Sequence, residues 1–276
     1  MRKITIFAVM NQIREIIVTN DDSYAAEGIL VAAQLMREYG NVTIVAPKEP
    51  QSGKSASISL DMTMRLTKVS EEEAEGDLHS LAVYTFTGTP VDCVKMAMNM
   101  FLERGIMPDL LVSGINHGSN ASVASVYSGT LGATAEGTIY GVPSIGLSIN
   151  THSMNPDFSG LVYYARKIMD MYFSDKGGFR EGDYLNINFP DIPMEKIKGI
   201  KVAHQGKGQW VREFEKRVDP KGRDYYWMIG TFNDLDEDSR GDHHVVDDGY
   251  ISIVPHRVDS TDYEEMERLK SVWKLE

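Results

Sequence analysis

Two adjacent carboxylates, Asp21 and Asp22, end an apolar run in the stretch "IIVTNDDSYAAEGI". Two like charges this close repel each other unless a proton or a cation lies between them. One interpretation is therefore a bound divalent cation. The alternative is that the two acids cap the helix predicted to follow, because acidic side chains at a helix start accept from free N–H groups and favour the helix dipole.

Other oxygen-bearing residues follow neighbouring predicted strands. Ser52 and Gly53 come after "NVTIVAP", and Asn116 ends "PDLLVSGIN". Asn20 directly precedes the acid pair. Since the carboxyl ends of parallel strands meet at one edge of a sheet, we expect these residues to lie together. Their oxygens suit hard cations, with Mg²⁺ or Mn²⁺ the expected ion and Ca²⁺ an acceptable substitute in a crystal.

A helix start rich in small residues, "VYSGTLGATAEG", supplies a second chemical feature. Free backbone N–H groups and the helix dipole bind anions at such a position. Ser128, Gly129 and Thr130 could therefore hold a phosphate group. Ordinary helix capping by the hydroxyl groups is the alternative interpretation.

Several other motifs do not match the known sites that they suggest. "QSGKSAS" contains Gly-Lys-Ser, but Lys48 occupies the place of the first glycine of a phosphate-binding P-loop, and no G-x-G-x-x-G follows the first strand. A two-component receiver domain also has an acidic pair, but it needs another aspartate where the third strand here ends in "TFTG". The histidines of "GDHH", His243 and His244, are adjacent and point in different directions, which disfavours a metal site, and their acidic surroundings predict a solvated loop.

The composition of the chain limits the fold classes and the partners that are expected for it. The chain has 276 residues, 42% hydrophobic and 25% charged, which is typical of a globular protein with one large domain. A formal net charge of −12 repels polyanions, so no nucleic-acid polymer is expected as a partner. No apolar run reaches the about 18 residues of a membrane span, so no membrane association is expected.

The cysteine content indicates a compartment. A single cysteine, Cys93, cannot form an intramolecular disulfide, which fits a reducing cytoplasm, and it is predicted to be a buried helix residue. The N-terminal "MRKITIFAVMNQIREIIV" has basic and apolar residues but lacks a small-residue cleavage site. A secretion leader is therefore disfavoured, and we expect a cytoplasmic protein.

Strands and helices alternate over the first two thirds of the chain, which predicts an α/β fold with a doubly wound, mostly parallel, Rossmann-like sheet. Residues 1–183 are predicted to form the core that carries the metal site. Residues 184–276 are predicted to complete that core and to add a protruding β-hairpin turning at "DPKG" and a C-terminal helix, without forming an independent domain. We expect the first helix to end at Gly40, and the last to begin with a capping box of Thr261 and Glu264.

Seven stretches, in order from Glu15 onward, resemble the survival protein SurE family of metal-dependent nucleoside-monophosphate phosphatases. They are "IIVTNDD", "VAPKEPQSG", "TGTPVDCV", "PDLLVSGINHGSN", "VYSGTLGATAEG", "VDPKGRDYYWMIG" and "DDGYISIVPH". The resemblance implies one divalent cation per subunit, held by Asp21, Asp22, Ser52 and Asn116, with Asp21, Asp22 and Asn116 catalytic. Residues expected to contact phosphate or substrate are Asn20, Gly53, Asn120, Ser128, Gly129 and Thr130.

The resemblance implies hydrolysis of nucleoside 5′- and 3′-monophosphates to nucleoside and phosphate, and leaves short polyphosphate open as a further substrate. It also implies a homodimer or homotetramer in which the hairpin and the last helix exchange between subunits. One departure is Ser23, which stands where the family usually has glycine. The competing hypothesis is a metal-dependent regulatory module that binds nucleotide or phosphate without turnover.

Overall fold

The apolar run before the acid pair forms the central region of a nine-stranded sheet. The structure, a computed structural model, describes residues 13–176 and 180–275, so the first 12 residues of the stretch considered as a leader lie outside the described residues. The strands are β1 (Arg14–Thr19), β2 (Gly40–Pro47), β3 (Leu66–Glu72), β4 (Leu81–Phe86), β5 (Leu110–His117), β6 (Ser144–Asn150), β7 (Asp183–Pro190), β8 (Ile200–Val202), β9 (Gly208–Val211), β10 (Phe214–Val218), β11 (Asp224–Met228), β12 (Thr231–Asp234) and β13 (Ile251–Arg257).

Helices cover both faces of this sheet. They are α1 (Glu27–Met36), α2 (Pro90–Glu103), α3 (Ala124–Tyr127), α4 (Gly129–Ile139), α5 (Ser159–Met171), α6 (Asp242–Asp247) and α7 (Tyr263–Trp273). Successive side chains of β1 point to opposite faces. Ile16 and Val18 accordingly pack with α1 and α5, while Ile17 packs with α2 and α4, and all three are fully buried.

The strand order is β3-β4-β2-β1-β5-β6-β7-β13-β8. Strands β4, β2, β1, β5, β6 and β7 are parallel. Strand β3 runs antiparallel to β4, and β13 runs antiparallel to β7 but parallel to β8. The chain winds from β1 towards β2 and β4 on one side and resumes at β5 on the other, so the switch point lies between β1 and β5. The predicted doubly wound α/β fold is confirmed, and its ligand position is the edge beyond these two strands.

A long hairpin protrudes from the second half of the chain, as predicted. Strands β9 and β12 pair at its base, and β10 and β11 pair towards its tip. The turn at Asp219–Gly222 uses the predicted "DPKG" residues, and Gly222 has a φ of 76°. Helix α7 also forms as predicted. Among the described residues, no helix combines the length and apolar character needed to cross a membrane.

Three local predictions were wrong or incomplete. Helix α1 ends at Met36, and Gly40 instead begins β2, where a Cβ atom would lie 2.5 Å from the carbonyl oxygen of Arg14. Glycine is needed there for close strand approach. Helix α7 takes Asp262 as its N-cap, because its carboxylate accepts from the N–H of Glu265. Strand β3 was missed because it is an edge strand that is largely exposed and lacks apolar alternation.

Gly28 provides a test of how closely α1 packs on the sheet. A Cβ atom at this position would lie 2.2 Å from the carbonyl oxygen of Ile115. Gly28→Ala should therefore lower the free energy of unfolding by about 3 kcal/mol through overpacking, although alanine is the better helix former. Denaturant unfolding measures this change. Leu30→Ala, on the exposed side of the same helix, is the control and should change stability by about 0.5 kcal/mol or less; equal stability of both variants would contradict the packing argument.

Candidate functional site

Asp21 lies in a closely packed position between the end of β1 and the start of α4. Its side chain is 4% exposed, and its Oδ1 accepts a hydrogen bond of 2.7 Å from the hydroxyl of Thr130. A Cβ atom on Gly129 would lie 2.9 Å from the Cβ of Asp21. Glycine at the first position of α4 therefore allows this helix to approach the carboxylate.

Asp22 connects β1 with the neighbouring strand across the switch point. Its Oδ2 accepts a hydrogen bond of 3.0 Å from the backbone N–H of His117, at the end of β5. Asn116, one residue earlier, donates from its amide nitrogen to the carbonyl oxygen of Gly118 over 2.8 Å. That contact uses the nitrogen of Asn116 and not the amide oxygen, which is the atom that a hard cation prefers.

A cavity of about 280 Å³ brings six of the predicted site residues together. The residues predicted from strand ends and from the helix start that line it are Asp21, Ser52, Gly53, Asn116, Asn120 and Ser128. Asp22 lines a neighbouring pocket that shares His117. The convergence expected for the carboxyl ends of parallel strands is thus found at this edge.

The helix start uses its hydroxyl groups internally. The Oγ of Ser128 accepts from the N–H of Leu131 over 3.1 Å, so it caps α4. The hydroxyl of Thr130 is fully buried and donates to Asp21. Anion binding at this position would therefore depend on backbone N–H groups and the helix dipole.

The two predicted asparagines hold the surrounding backbone. Asn20 is fully buried, and its amide nitrogen donates over 2.9 Å to the carbonyl oxygen of Ser23. Asn120 donates over 2.8 Å to the hydroxyl of Ser148, and its backbone N–H donates to Asn188. The Oδ1 of Asn20 has no hydrogen-bond partner among the residues that the structure describes.

Burial makes the acid pair electrostatically costly. It raises the pKa of Asp21 to about 6, and the hydrogen bond from Thr130 offsets only part of this effect. Burial also raises the pKa of Asp22, partly countered by the hydrogen bond from the N–H of His117. No lysine or arginine is found among the described residues that line the two pockets. The oxygen donors therefore fit a divalent cation, which would neutralise two carboxylates that the chain leaves uncompensated.

Comparison with known proteins identifies the family. The model of the family "Survival protein SurE" matches residues 16–212, well over half of the chain. The chain belongs to the SurE family. This family is metal-dependent. A protein named 5'-nucleotidase SurE from Flavobacterium psychrophilum is 41% identical over 260 residues, covering 94% of this chain and 97% of that protein.

More distant relatives agree over the same span. A 5'-nucleotidase SurE from Caldanaerobacter subterraneus is 38% identical over 264 residues, covering 95% of this chain and 98% of that protein. The crystal structure of a SurE protein from Aquifex aeolicus superposes with a TM-score of 0.75 at 31% identity, covering 94% of this chain and 99% of that chain. The fold and the family prediction from the sequence are therefore confirmed.

Aromatic and imidazole side chains complete the cavity, and the sequence did not reveal them. Trp210, from β9 of the hairpin, and His117 line both the 280 Å³ cavity and an adjoining cavity of about 590 Å³. Phe232, from β12, lines the larger one. No sequence signal places the hairpin beside the sheet edge, because that contact depends on where the chain returns in three dimensions.

The stretch "GDHH" is not a solvated loop, contrary to the prediction. Asp242 is fully buried at the start of α6, and its Oδ1 accepts from the N–H groups of Ser122, Gly206 and His243. The His243 side chain is only 15% exposed. These residues lie buried at the start of a short helix, where Asp242 accepts from backbone N–H groups of three separate segments.

Cys93 is buried as predicted, and burial raises the pKa of its thiol.

The buried charge of Asp21 predicts a pH-dependent stability in metal-free protein. Because its pKa is raised, the folded state binds more protons than the unfolded state between about pH 4 and pH 6, and stability falls as pH rises through this range. Asp21→Asn should therefore raise the free energy of unfolding by up to about 3 kcal/mol at pH 7.5 and by little below pH 4. Thermal unfolding in EDTA at several pH values measures this.

The exposed Asp77 provides the matched control, and Asp77→Asn should show no such pH-dependent gain. Mg²⁺ or Mn²⁺ should raise the melting temperature of the wild type and not that of Asp21→Asn. A metal-free Asp21→Asn protein that is no more stable than the wild type at pH 7.5 would contradict the account of this buried charge.

Ser23 has a φ of 96°, which confirms that this position needs the glycine-favoured conformation. Its carbonyl oxygen accepts from Asn20 and from the N–H of Ala26, so only its backbone supports the turn through these contacts. Ser23→Gly should raise the free energy of unfolding by about 1 kcal/mol by removing steric strain. Ser23→Ala keeps a Cβ atom and should give no gain in denaturant unfolding; equal gains would refute the strain argument.

Proposed function

We propose that this chain is a metal-dependent 5′-nucleotidase, a phosphomonoesterase that releases phosphate from nucleoside monophosphates. The observation that carries the proposal is the gathering of the acid pair, Ser52 and Asn116 in adjoining pockets at the switch point. The relatives named 5'-nucleotidase SurE, which match nearly the whole chain, support the same reaction.

The proposed ligands of one Mg²⁺ or Mn²⁺ ion are Asp21, Asp22, Ser52 and Asn116. All offer oxygen atoms, and they come from the end of β1, the loop after β2 and the end of β5. When bound, the ion would polarise the phosphate and lower the pKa of a bound water. Asp21, Asp22 and Asn116 are proposed as catalytic residues.

The chain supplies positioning and charge stabilisation around that centre. The Thr130 hydroxyl and the His117 N–H hold one carboxylate each, so both acids are fixed before a substrate arrives. Ser128, the N-cap of α4, lines the same cavity, so the positive end of the helix dipole lies at its wall. Such preorganised donors favour the negative charge that develops on phosphate oxygens during displacement.

The adjoining cavity of about 590 Å³ is proposed to hold the nucleoside. It shares His117, Ser119 and Trp210 with the smaller cavity, so a phosphate in one and a nucleoside in the other would be continuous. The rings of Trp210 and Phe232 offer apolar surfaces on which a base could stack. Stacking is tolerant of base identity, which suits several 5′- and 3′-nucleotides, and short polyphosphate remains a further candidate substrate.

Assembly into a homodimer or homotetramer is proposed from the exposed apolar surfaces of residues 184–276. Phe214 and Met228 on the hairpin are 64% and 71% exposed, and Trp273 on α7 is 63% exposed. We propose that this segment completes the sheet that begins in residues 1–183 and carries the subunit contacts. A cytoplasmic location is also proposed, because the single cysteine, Cys93, cannot form an intramolecular disulfide. Within the part of the chain that the structure describes, no specific contact favours a regulatory module without turnover.

Asp22→Asn should lower phosphate release from a nucleoside monophosphate by at least about 100-fold, because it removes a charged ligand from the proposed centre. Colorimetric phosphate assays with Mg²⁺ or Mn²⁺ measure this, and EDTA should stop release by the wild type until metal is restored. The exposed Asp77→Asn is the control and should keep wild-type activity. Full activity in EDTA, or in Asp22→Asn, would refute the proposed mechanism.

A further inference from the structure

A second group of metal-ligating side chains lies where the hairpin meets α6. Asp234 and Asp236 come from the end of β12 and the loop after it, and His243 and His244 come from α6. One ligand atom from each lies within 4.8 Å of the others. The closest approaches join Asp234 to the two imidazoles, at 3.0 Å to Nε2 of His244 and 3.2 Å to Nε2 of His243.

His243 has a buried, unpaired ring nitrogen at the centre of this group. Its Nδ1 has no hydrogen-bond partner among the described residues, its Nε2 faces the carboxylate of Asp234 at 3.2 Å, and neither nitrogen is accessible to solvent. The Oδ2 of the fully buried Asp242, which adjoins His243, also lacks a partner within that part of the chain. Burying unpaired polar atoms costs about 1–3 kcal/mol each, so a missing ligand is the economical explanation.

Two glycines allow the ligand atoms to come this close. A Cβ atom on Gly206 would lie 2.2 Å from Nδ1 of His243, and one on Gly241 would lie 2.3 Å from Oδ2 of Asp236. Gly241 has a φ of −60°, which any residue can adopt, so its backbone does not require glycine. These positions thus make room for the imidazole and the carboxylate.

We propose that Asp234, Asp236, His243 and His244 form a second metal site that takes Zn²⁺. Two imidazole nitrogens and two carboxylates suit this borderline ion, whereas the acid-pair site offers only oxygen. Ligands about 2.0–2.1 Å from a tetrahedral Zn²⁺ lie roughly 3.3 Å apart, so a modest contraction of the group would complete the shell. Side chains of Asp234 and His244 are 38% and 31% exposed, which gives the ion a route in.

The site would fix the aromatic wall of the larger cavity. The ring of Phe232 lies edge-on to His243 at 5.6 Å, and Trp210 lies against Phe232 at 5.7 Å. All three line the 590 Å³ cavity. Zn²⁺ would join β12 to α6 and so hold the hairpin base, and with it these rings, in one position. This consequence for substrate binding rests on the proposed function, whereas metal binding itself does not.

Zn²⁺ binding is tested in full-length Asp22→Asn protein, in which the acid-pair site is disabled. After chelation and dialysis, titration with Zn²⁺ followed by elemental analysis should give one ion per chain. Co²⁺ in its place should show the intense visible absorption of a tetrahedral nitrogen and oxygen site. Adding His244→Gln or Asp234→Asn should weaken Zn²⁺ binding more than about tenfold, whereas His79→Gln should not change it.

No bound Zn²⁺ in Asp22→Asn, or binding that survives both ligand substitutions, would overturn the site. Because Asp234 and His244 are partly exposed, we expect the variants to fold, and circular dichroism checks this. For the cavity, His244→Gln in the otherwise native, Mg²⁺-activated protein should raise KM for a nucleoside monophosphate several-fold with kcat nearly unchanged. An unchanged KM would overturn the link to the cavity, and absence of any phosphate release would instead refute the proposed function.

Discussion

The burial of two adjacent carboxylates is the constraint on which this structure depends. Asp21 is almost fully enclosed, and the pKa of each acid is raised by burial. Like charges so placed stay ionised only where hydrogen-bond donors or a cation stabilise them. Each acid receives a donor from a different element, the Thr130 hydroxyl of α4 or the His117 N–H of β5, so the charge arrangement requires β1, β5 and α4 to meet at one point.

The parallel sheet makes that meeting point rigid. The side chains of Ile16, Ile17 and Val18 are fully buried against helices on opposite faces, so the strand that delivers the acids cannot shift without opening the core. The close approach of α4, which Gly129 permits, then sets the helix dipole at the same edge. The same packed core therefore stabilises the sheet and fixes the geometry of the proposed centre.

The sequence predicted those features that follow from local periodicity. The β-branched runs predicted the strands. Because the carboxyl ends of parallel strands lie at one edge of a sheet, these strands placed Ser52, Asn116 and the acid pair together. Roles that depend on distant packing were not predictable in this way. The Thr130 hydroxyl serves Asp21 rather than a ligand, and Trp210 reaches the cavity only because the hairpin returns to the sheet edge. Asp242 was misassigned for the same reason, since its backbone partners come from segments far apart in the chain.

The two proposed metal sites would also offset the electrostatic repulsion between this chain and a nucleotide. A chain with a net charge of −12 repels a nucleotide, and no lysine or arginine is among the described residues lining either cavity. Divalent ions supply local positive charge without changing the surface as a whole, because a bound ion dominates the field in its immediate surroundings. An oxygen-only site beside the phosphate and a nitrogen and oxygen site behind the aromatic wall would prefer different ions, so each position can be filled without competing for the same metal.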